Sequence, residues 1–158
     1  TLVKAEMTSE VHLNQDIYQL MVISHQKFMV PVHSIVSVFA LEDILQLPHT
    51  PDWLSGVAHI RNAIVPVVNL NELIGSAEPV IQSAYPLLVL LRHPRDSQRW
   101  LALCVTDLSS VLLKEDLHKM SSSSAVHPCL KAVLDNHSQK IHWLDISKLF
   151  EQLIKEQA

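Results

Sequence analysis

The sequence predicts an all-β fold built from one strand-rich unit written twice. Three observations carry that expectation. Apolar residues come in short runs of about four to seven, many of them β-branched, separated by polar turn signals. The pattern of runs in the first half recurs in the second. Sustained helical spacing occurs only at the end of the chain.

The repeat can be followed residue by residue. In the first half, Gln19-Leu20-Met21-Val22-Ile23 precedes His25, then Phe28-Met29-Val30-Pro31-Val32, then the octet Ser37-Val38-Phe39-Ala40-Leu41-Glu42-Asp43-Ile44. In the second, Leu87-Leu88-Val89-Leu90-Leu91 precedes His93, then Trp100-Leu101-Ala102-Leu103-Cys104, then Ser110-Val111-Leu112-Leu113-Lys114-Glu115-Asp116-Leu117. The octets match at most positions without a gap. Leu54-Ser55-Gly56-Val57 then corresponds to Leu130-Lys131-Ala132-Val133, and Val67-Val68-Asn69-Leu70 to Trp143-Leu144-Asp145-Ile146. The offset there stays at about 76 residues, which chance patterning rarely sustains. Each half is a five-strand-sized unit of about 65 residues, small enough to need its twin for a stable core.

Along the chain, Ser24-His25-Gln26-Lys27 and His93 to Arg99 read as hairpin connections. Alternation in Phe28-Met29-Val30-Pro31-Val32 is weak, so such strands are expected to be buried on both sides or to close into a barrel. Pro31 and Pro66 point to edges or bulges. Thr50-Pro51-Asp52-Trp53 has the capping residue, proline and acidic first turn of a helix start. Asn62-Ala63 reads as a tight turn in which Asn supplies φ > 0. Asn71-Glu72-Leu73-Ile74-Gly75 is a single helical turn ended by glycine. Ser121 to Ser124 reads as a flexible loop. From a cap at Asp145, the spacing of Leu149, Phe150, Leu153 and Ile154 predicts the one sustained helix. Trp53 and Trp143 adjoin apolar runs and are expected in the core, whereas Trp100 follows a charged loop.

Composition narrows the function. The chain has 158 residues, 48% hydrophobic and 18% charged, an ordinary globular balance. Its net charge of −4 comes with no basic stripe, so no nucleic-acid partner is expected. Apolar runs such as Leu87 to Leu91 fall far short of the ~20 residues that span a bilayer, and no direct membrane insertion is expected. Thr1 to Asp16 lacks a basic start followed by an apolar stretch, so no signal peptide is expected there. Two glycines, Gly56 and Gly75, are too few for a phosphate-cradling or dinucleotide loop. Cys104, inside Leu101 to Val105, reads as a small buried core thiol, and two cysteines fit a reducing, cytoplasmic setting.

Ten histidines raise the question of a metal, but no pair has helical ligand spacing. His127-Pro128-Cys129 is the only close set of ligand types, and no metal or cofactor is expected. Nucleophilic catalysis needs a nucleophile, a base and an orienting acid at defined spacing. No such pattern occurs, and the chain is not expected to be an enzyme.

With these residues laid out, the sequence resembles the CheW-like domain, the bacterial chemotaxis coupling module. Members carry a run close to P-x-x-x-x-G-V-x-N-L-R-G-x-I-V-P-V-V-D-L followed by a short helix. Here the run is Pro51-Asp52-Trp53-Leu54-Ser55-Gly56-Val57-Ala58-His59-Ile60-Arg61-Asn62-Ala63-Ile64-Val65-Pro66-Val67-Val68-Asn69-Leu70. The resemblance extends from Ile17 to Leu153. It implies two pseudo-symmetric five-stranded SH3-like barrels, at residues 17–80 and 83–145, with strand exchange between them left open. Short helices and a C-terminal helix at 145–156 complete that fold.

The resemblance also implies a role. Family proteins are cytoplasmic, non-catalytic adaptors that link a CheA-type histidine kinase to the tips of chemoreceptors in membrane-associated arrays. The receptor tip binds near the junction of the barrels, and the first barrel docks on a similar barrel of the kinase. By position, Val32, Ile35, Gly56, Arg61 and Asn62 fall where the family makes or supports those contacts. Four positions depart from its pattern. Asn62 replaces glycine, Asn69 replaces aspartate, Asn71 replaces a common arginine, and Ser37 stands where many members have a glutamate that pairs with the motif arginine. Arg61 is therefore expected to be exposed, since a buried unpaired arginine is costly. Such losses suggest a divergent paralogue serving a specialised pathway, for example type IV pilus control. On the residues alone, two rivals stay open: a sensor holding a small ligand in the crevice between barrels, and an array member binding only other barrels through strand edges.

Overall fold

The computed structural model describes residues 17–40, 43–75, 86–125, 127–136 and 139–157. The first copy of the repeat supplies β1 (Ile17–Ile23), β2 (Gln26–Pro31), β3 (Ile35–Ala40), β4 (Leu54–Ile60) and β5 (Ala63–Val68). The second supplies β6 (Leu87–His93), β7 (Asp96–Val105), β8 (Asp107–Leu113), β9 (Ser121–Ser123), β10 (Leu130–Asn136) and β11 (Gln139–Leu144). The helices are α1 (Leu70–Leu73), α2 (Lys114–His118) and α3 (Ile146–Gln157), with a 3-10 turn at Val32–Ser34.

The strands form two mixed sheets, ordered β8-β1-β2-β11-β10-β9 and β3-β6-β7-β5-β4. Neither sheet comes from one copy alone. The β1–β2 hairpin pairs with β8 on one side and, in parallel, with β11 on the other. Its twin, β6–β7, pairs with β3 and, in parallel, with β5. Each copy lends its first hairpin to the sheet otherwise built from the other. The expected all-β, duplicated fold is the one observed.

The exchanged hairpins explain the weak alternation of their strands. On β1 and β2, Met21, Ile23, Phe28 and Val30 face a large core shared by both sheets. Leu20 and Met29 face a smaller one with Leu112, Leu134 and Ile141. Residues next to each other in a strand point to opposite faces, so both faces are buried. Fully buried side chains of this size contribute about 1.5–3 kcal/mol each. From α3, Ile146, Leu149, Phe150 and Leu153 close the large core, while Ile154 is exposed.

The duplication holds at the level of single hydrogen bonds. Asn69 N donates to the Trp53 carbonyl and Asp145 N to the Cys129 carbonyl, both at 2.7 Å. Asn69 Oδ1 accepts from Glu72 N, and Asp145 Oδ1 from Lys148 N, both at 3.2 Å, so each caps the helix that follows its last long strand. Register shifts also recur at equivalent places, between Leu54 and Gly56 and between Leu130 and Ala132.

Several local expectations are corrected. Thr50 to Trp53 is a turn and not a helix: Thr50 Oγ1 donates to the Leu47 carbonyl, and the Trp53 carbonyl is taken by Asn69. Ser121–Ser123 is a sixth strand in one sheet, held to β10 with Ser123 Oγ donating to the Val133 carbonyl. α1 starts at Leu70, one residue early, because Asn69 is its cap. Pro66 lies inside the sheet but costs no ladder bond. Its pair partner Val57 spends both backbone groups on Leu45, and the pairing with β7 covers only Val67 and Val68. Trp53 is buried as expected. Trp143 is half-buried, edge-on to Tyr18 at 5.7 Å, and Lys131 lies 5.4 Å from its ring.

Candidate functional site

The β4–β5 hairpin turns through two residues, Arg61 at φ 51 and Asn62 at φ 63. Two positive φ values match the right-handed twist of the flanking strands, which is why such loops favour Asn and Gly. The turn is centred one residue earlier than the sequence suggests. Asn62, standing for the family glycine, accepts this geometry readily, whereas Arg61 bears a steric cost.

Arg61 is exposed, as the loss of its acidic neighbour implies, and its guanidinium carbon lies 5.9 Å from the centre of the Phe39 ring. Phe39 belongs to β3. Because β3 and β4 are the two edges of the five-stranded sheet, this contact leans one edge strand toward the other. Between them lies a small groove of about 120 Å³. It is lined by Phe39 and Ala40 of β3, Ala58, His59 and Ile60 of β4, Leu88, Asp43 and Arg61 itself. Exposed apolar side chains stand nearby in the sequence: Val38 on β3, and Ile64, 74% exposed, on β5 just after the Arg61–Asn62 turn. Such side chains beside a polar anchor are the ingredients of a protein-binding rim.

Of the five site residues expected from sequence, only Arg61 lines this groove. Asn62 completes the turn and is exposed. Gly56 is buried in β4, where a Cβ would lie 2.3 Å from the Leu45 carbonyl oxygen and 2.8 Å from Ile44 Cγ2. Its φ of 147 and its lack of a side chain let the 44–45 backbone lie against β4, so its part is to shape the surface. Val32 sits in the 3-10 turn and Ile35 opens β3, both half-buried. Among the described residues, no hydrogen bond or ring contact joins these three to the Arg61 turn.

The sequence offered one signal for a residue it left out. Within the octets, Phe39 stands where the twin has Leu112, an aromatic at an otherwise aliphatic position. Asp43 and His59 carried no such mark. The turn of the second copy, Asn136-His137-Ser138, cannot be compared in full, because His137 and Ser138 lie outside the described residues, as do Leu41 and Glu42 of the first octet.

Two of the other departures, Asn69 and Asn71, lie at buried positions. Asn71 Nδ2 donates to the Ile23 carbonyl at 3.1 Å, tying α1 to the end of β1. A neutral amide suits such sites, where an ionised group would need a partner. Cys104 is buried, and desolvation pushes its thiol up to about 11 against the opposing effect of a hydrogen bond with Ser55. His127 Nδ1 accepts from Cys129 N at 3.0 Å, a local turn. Among the described residues, no three histidine, cysteine or acidic side chains are grouped to hold a metal ion.

Comparison with known proteins assigns this architecture. The family profile described as the CheW-like domain matches residues 18–153. No curated protein sequence matches the chain. Among solved structures, the crystal structure of the scaffolding protein TtCheW from Thermoanaerobacter tengcongensis is similar with a TM-score of 0.69. That similarity covers 87% of this chain and 93% of that one at 15% identity, and is a likeness of fold. With its profile matching over most of its length, the chain belongs to the CheW-like domain family, whose members are non-catalytic scaffolds in chemotaxis-type signalling.

Proposed function

We propose that this chain couples chemoreceptors to a CheA-type histidine kinase. In this reading, the cytoplasmic tip of a methyl-accepting receptor docks at the rim carrying Arg61 and Asn62, with Val32 of the 3-10 turn and Ile35 at the start of β3 extending the contact. Gly56 supports it by seating the 44–45 segment. The regulatory domain of the kinase docks on the same half of the protein through strand edges, and the complex works at the cytoplasmic face of receptor arrays.

One observation carries the proposal. Arg61 holds a left-handed backbone conformation that glycine or asparagine would adopt at lower cost, and it does so exposed, with its side chain laid over Phe39. A residue kept at a strained, exposed position is a candidate for function. Arginine is also enriched among residues that anchor protein interfaces. The altered positions Ser37, Asn62, Asn69 and Asn71 support assignment to a specialised branch, such as control of type IV pili.

Co-elution tests this directly. The purified chain is expected to elute together with the kinase or with a receptor signalling fragment from its own genome. Elution apart from all of them at high micromolar concentration overturns the proposal. The neighbouring genes provide a second check, since they are expected to encode receptor, kinase or pilus components.

A further inference from the structure

We propose that the surface between the β1–β2 and β10–β11 hairpins binds a small phosphate-bearing ligand, at a site separate from the Arg61 rim. An open cavity of about 500 Å³ lies there, lined by His25, Gln26, Lys27, Gln139, Lys140 and His142. Two lysines, two histidines and two glutamines line it, and among the described residues no carboxylate does. Its size falls in the range of small-molecule sites, about 300–1,000 Å³, and exceeds what inorganic phosphate alone would fill.

The fold assembles this cluster from opposite ends of the chain. Parallel pairing sets Lys27 beside Ile141 and Phe28 beside His142, so Lys27 stands on one face of the sheet and His142 with Lys140 on the other, and these basic groups, far apart in sequence, reach the cavity from both faces. Lys27 Nζ donates to Gln139 Oε1 at 2.7 Å, which fixes the ammonium before any ligand arrives. Such preorganisation lowers the entropic cost of binding. The His142 ring packs against Phe28, with centroids 5.1 Å apart. Among the described residues its buried Nδ1 has no partner.

Charge balance points to an anion. Burial, and then the positive charge of Lys140, hold His142 below its ordinary pKa. Asp135 pairs across from Lys140 in the β10–β11 ladder, yet it lines no part of the cavity, and the two make no ion pair among the described residues. A multiply charged anion between Lys27 and Lys140 would offset their repulsion and favour protonation of His142. Lysine binds phosphate as a compact point charge, and the comparison with citrate below separates phosphate from carboxylate.

Calorimetric titration of the whole chain with tripolyphosphate and with ATP, using citrate as the carboxylate control, tests the site. Both phosphates are expected to bind, and K27Q/K140Q is expected to weaken binding at least about tenfold. The charge-keeping K27R/K140R is expected to stay within about threefold of the unaltered chain. Tripolyphosphate is also expected to raise the pKa of His142 followed by NMR. That readout uses the unaltered chain, so it decides the matter even if a variant folds poorly. Absence of binding at about 5 mM, unchanged affinity in K27Q/K140Q, no movement of His142, or equal affinity for citrate would each overturn the proposal.

Discussion

Replacing Gly56 by alanine separates what a strand bulge needs from what the neighbouring segment needs. At the equivalent bulge of the second copy the residue is Ala132, and its φ is not positive. A bulge of this kind therefore accepts alanine. What Gly56 alone provides is room for residues 44 and 45, which a Cβ would meet at 2.8 Å and 2.3 Å. The strained chain can relax toward the Ala132 geometry only by releasing that segment. Release breaks the two hydrogen bonds between Leu45 and Val57, each 2.9 Å long and each contributing about 1 kcal/mol. It also uncovers Ile44, half-buried against the large core, for about 1 kcal/mol more. The expected loss is about 3 kcal/mol. In urea, with a slope of about 2 kcal/mol/M, the unfolding midpoint should fall by about 1.5 M. Hydrogen exchange at the Leu45 and Val57 amides should accelerate with it. A midpoint shift under about 0.3 M, or exchange unchanged at both amides, would refute the reasoning.

Three further predictions rest on named groups. Arg61→Ala keeps the left-handed strain and loses the contact over Phe39, costing about 0.5–1 kcal/mol. Arg61→Gly also relieves about 1 kcal/mol of strain and should unfold in urea near the unaltered chain; a glycine variant less stable than the alanine variant would contradict this. The Cys104 thiol, pushed up to about 11, should resist a thiol reagent at pH 8 until denaturant is added. Because the unfolded thiol ionises from 9.0, the unfolded state sheds its proton first, and stability should fall between pH 9 and about 11, less steeply in Cys104→Ala. His142 has the opposite pH dependence. Its pKa is lowered from 6.5, so the unfolded chain takes up a proton first as pH falls. The stabilisation present at neutral pH should decline on acidification, and His142→Phe should flatten that slope in pH-dependent unfolding.

The duplicated β architecture was readable because its signals are local. Asp145 as a helix cap and the short apolar strands depend on neighbours a few residues away. The exchange of hairpins was not readable. Gln19 to Ile23 and Leu87 to Leu91 carry nearly the same apolar pattern, and nothing in either says which copy its partner strand belongs to. Ser121–Ser123 was misread for a related reason: serine marks loops by propensity, yet a strand edge along β10 satisfies its backbone and tertiary pairing overrides propensity. At the candidate site, a tight turn with Asn62 at positive φ followed from residue type, but its centre lies one residue before Asn62-Ala63, at Arg61 and Asn62. The Phe39 edge that faces it depends on how the five-stranded sheet brings β3 toward β4, which no spacing encodes.

Adaptor function is tested most directly by titrating this chain, and its Arg61→Ala variant, with the kinase regulatory domain and a receptor signalling fragment from the same genome. The account predicts that the unaltered chain binds both. In the variant, receptor binding should weaken at least about tenfold, as loss of an interface anchor would cause, while kinase binding persists. Failure of the unaltered chain to bind either partner at about 100 μM, or equal receptor affinity in both chains, would contradict it.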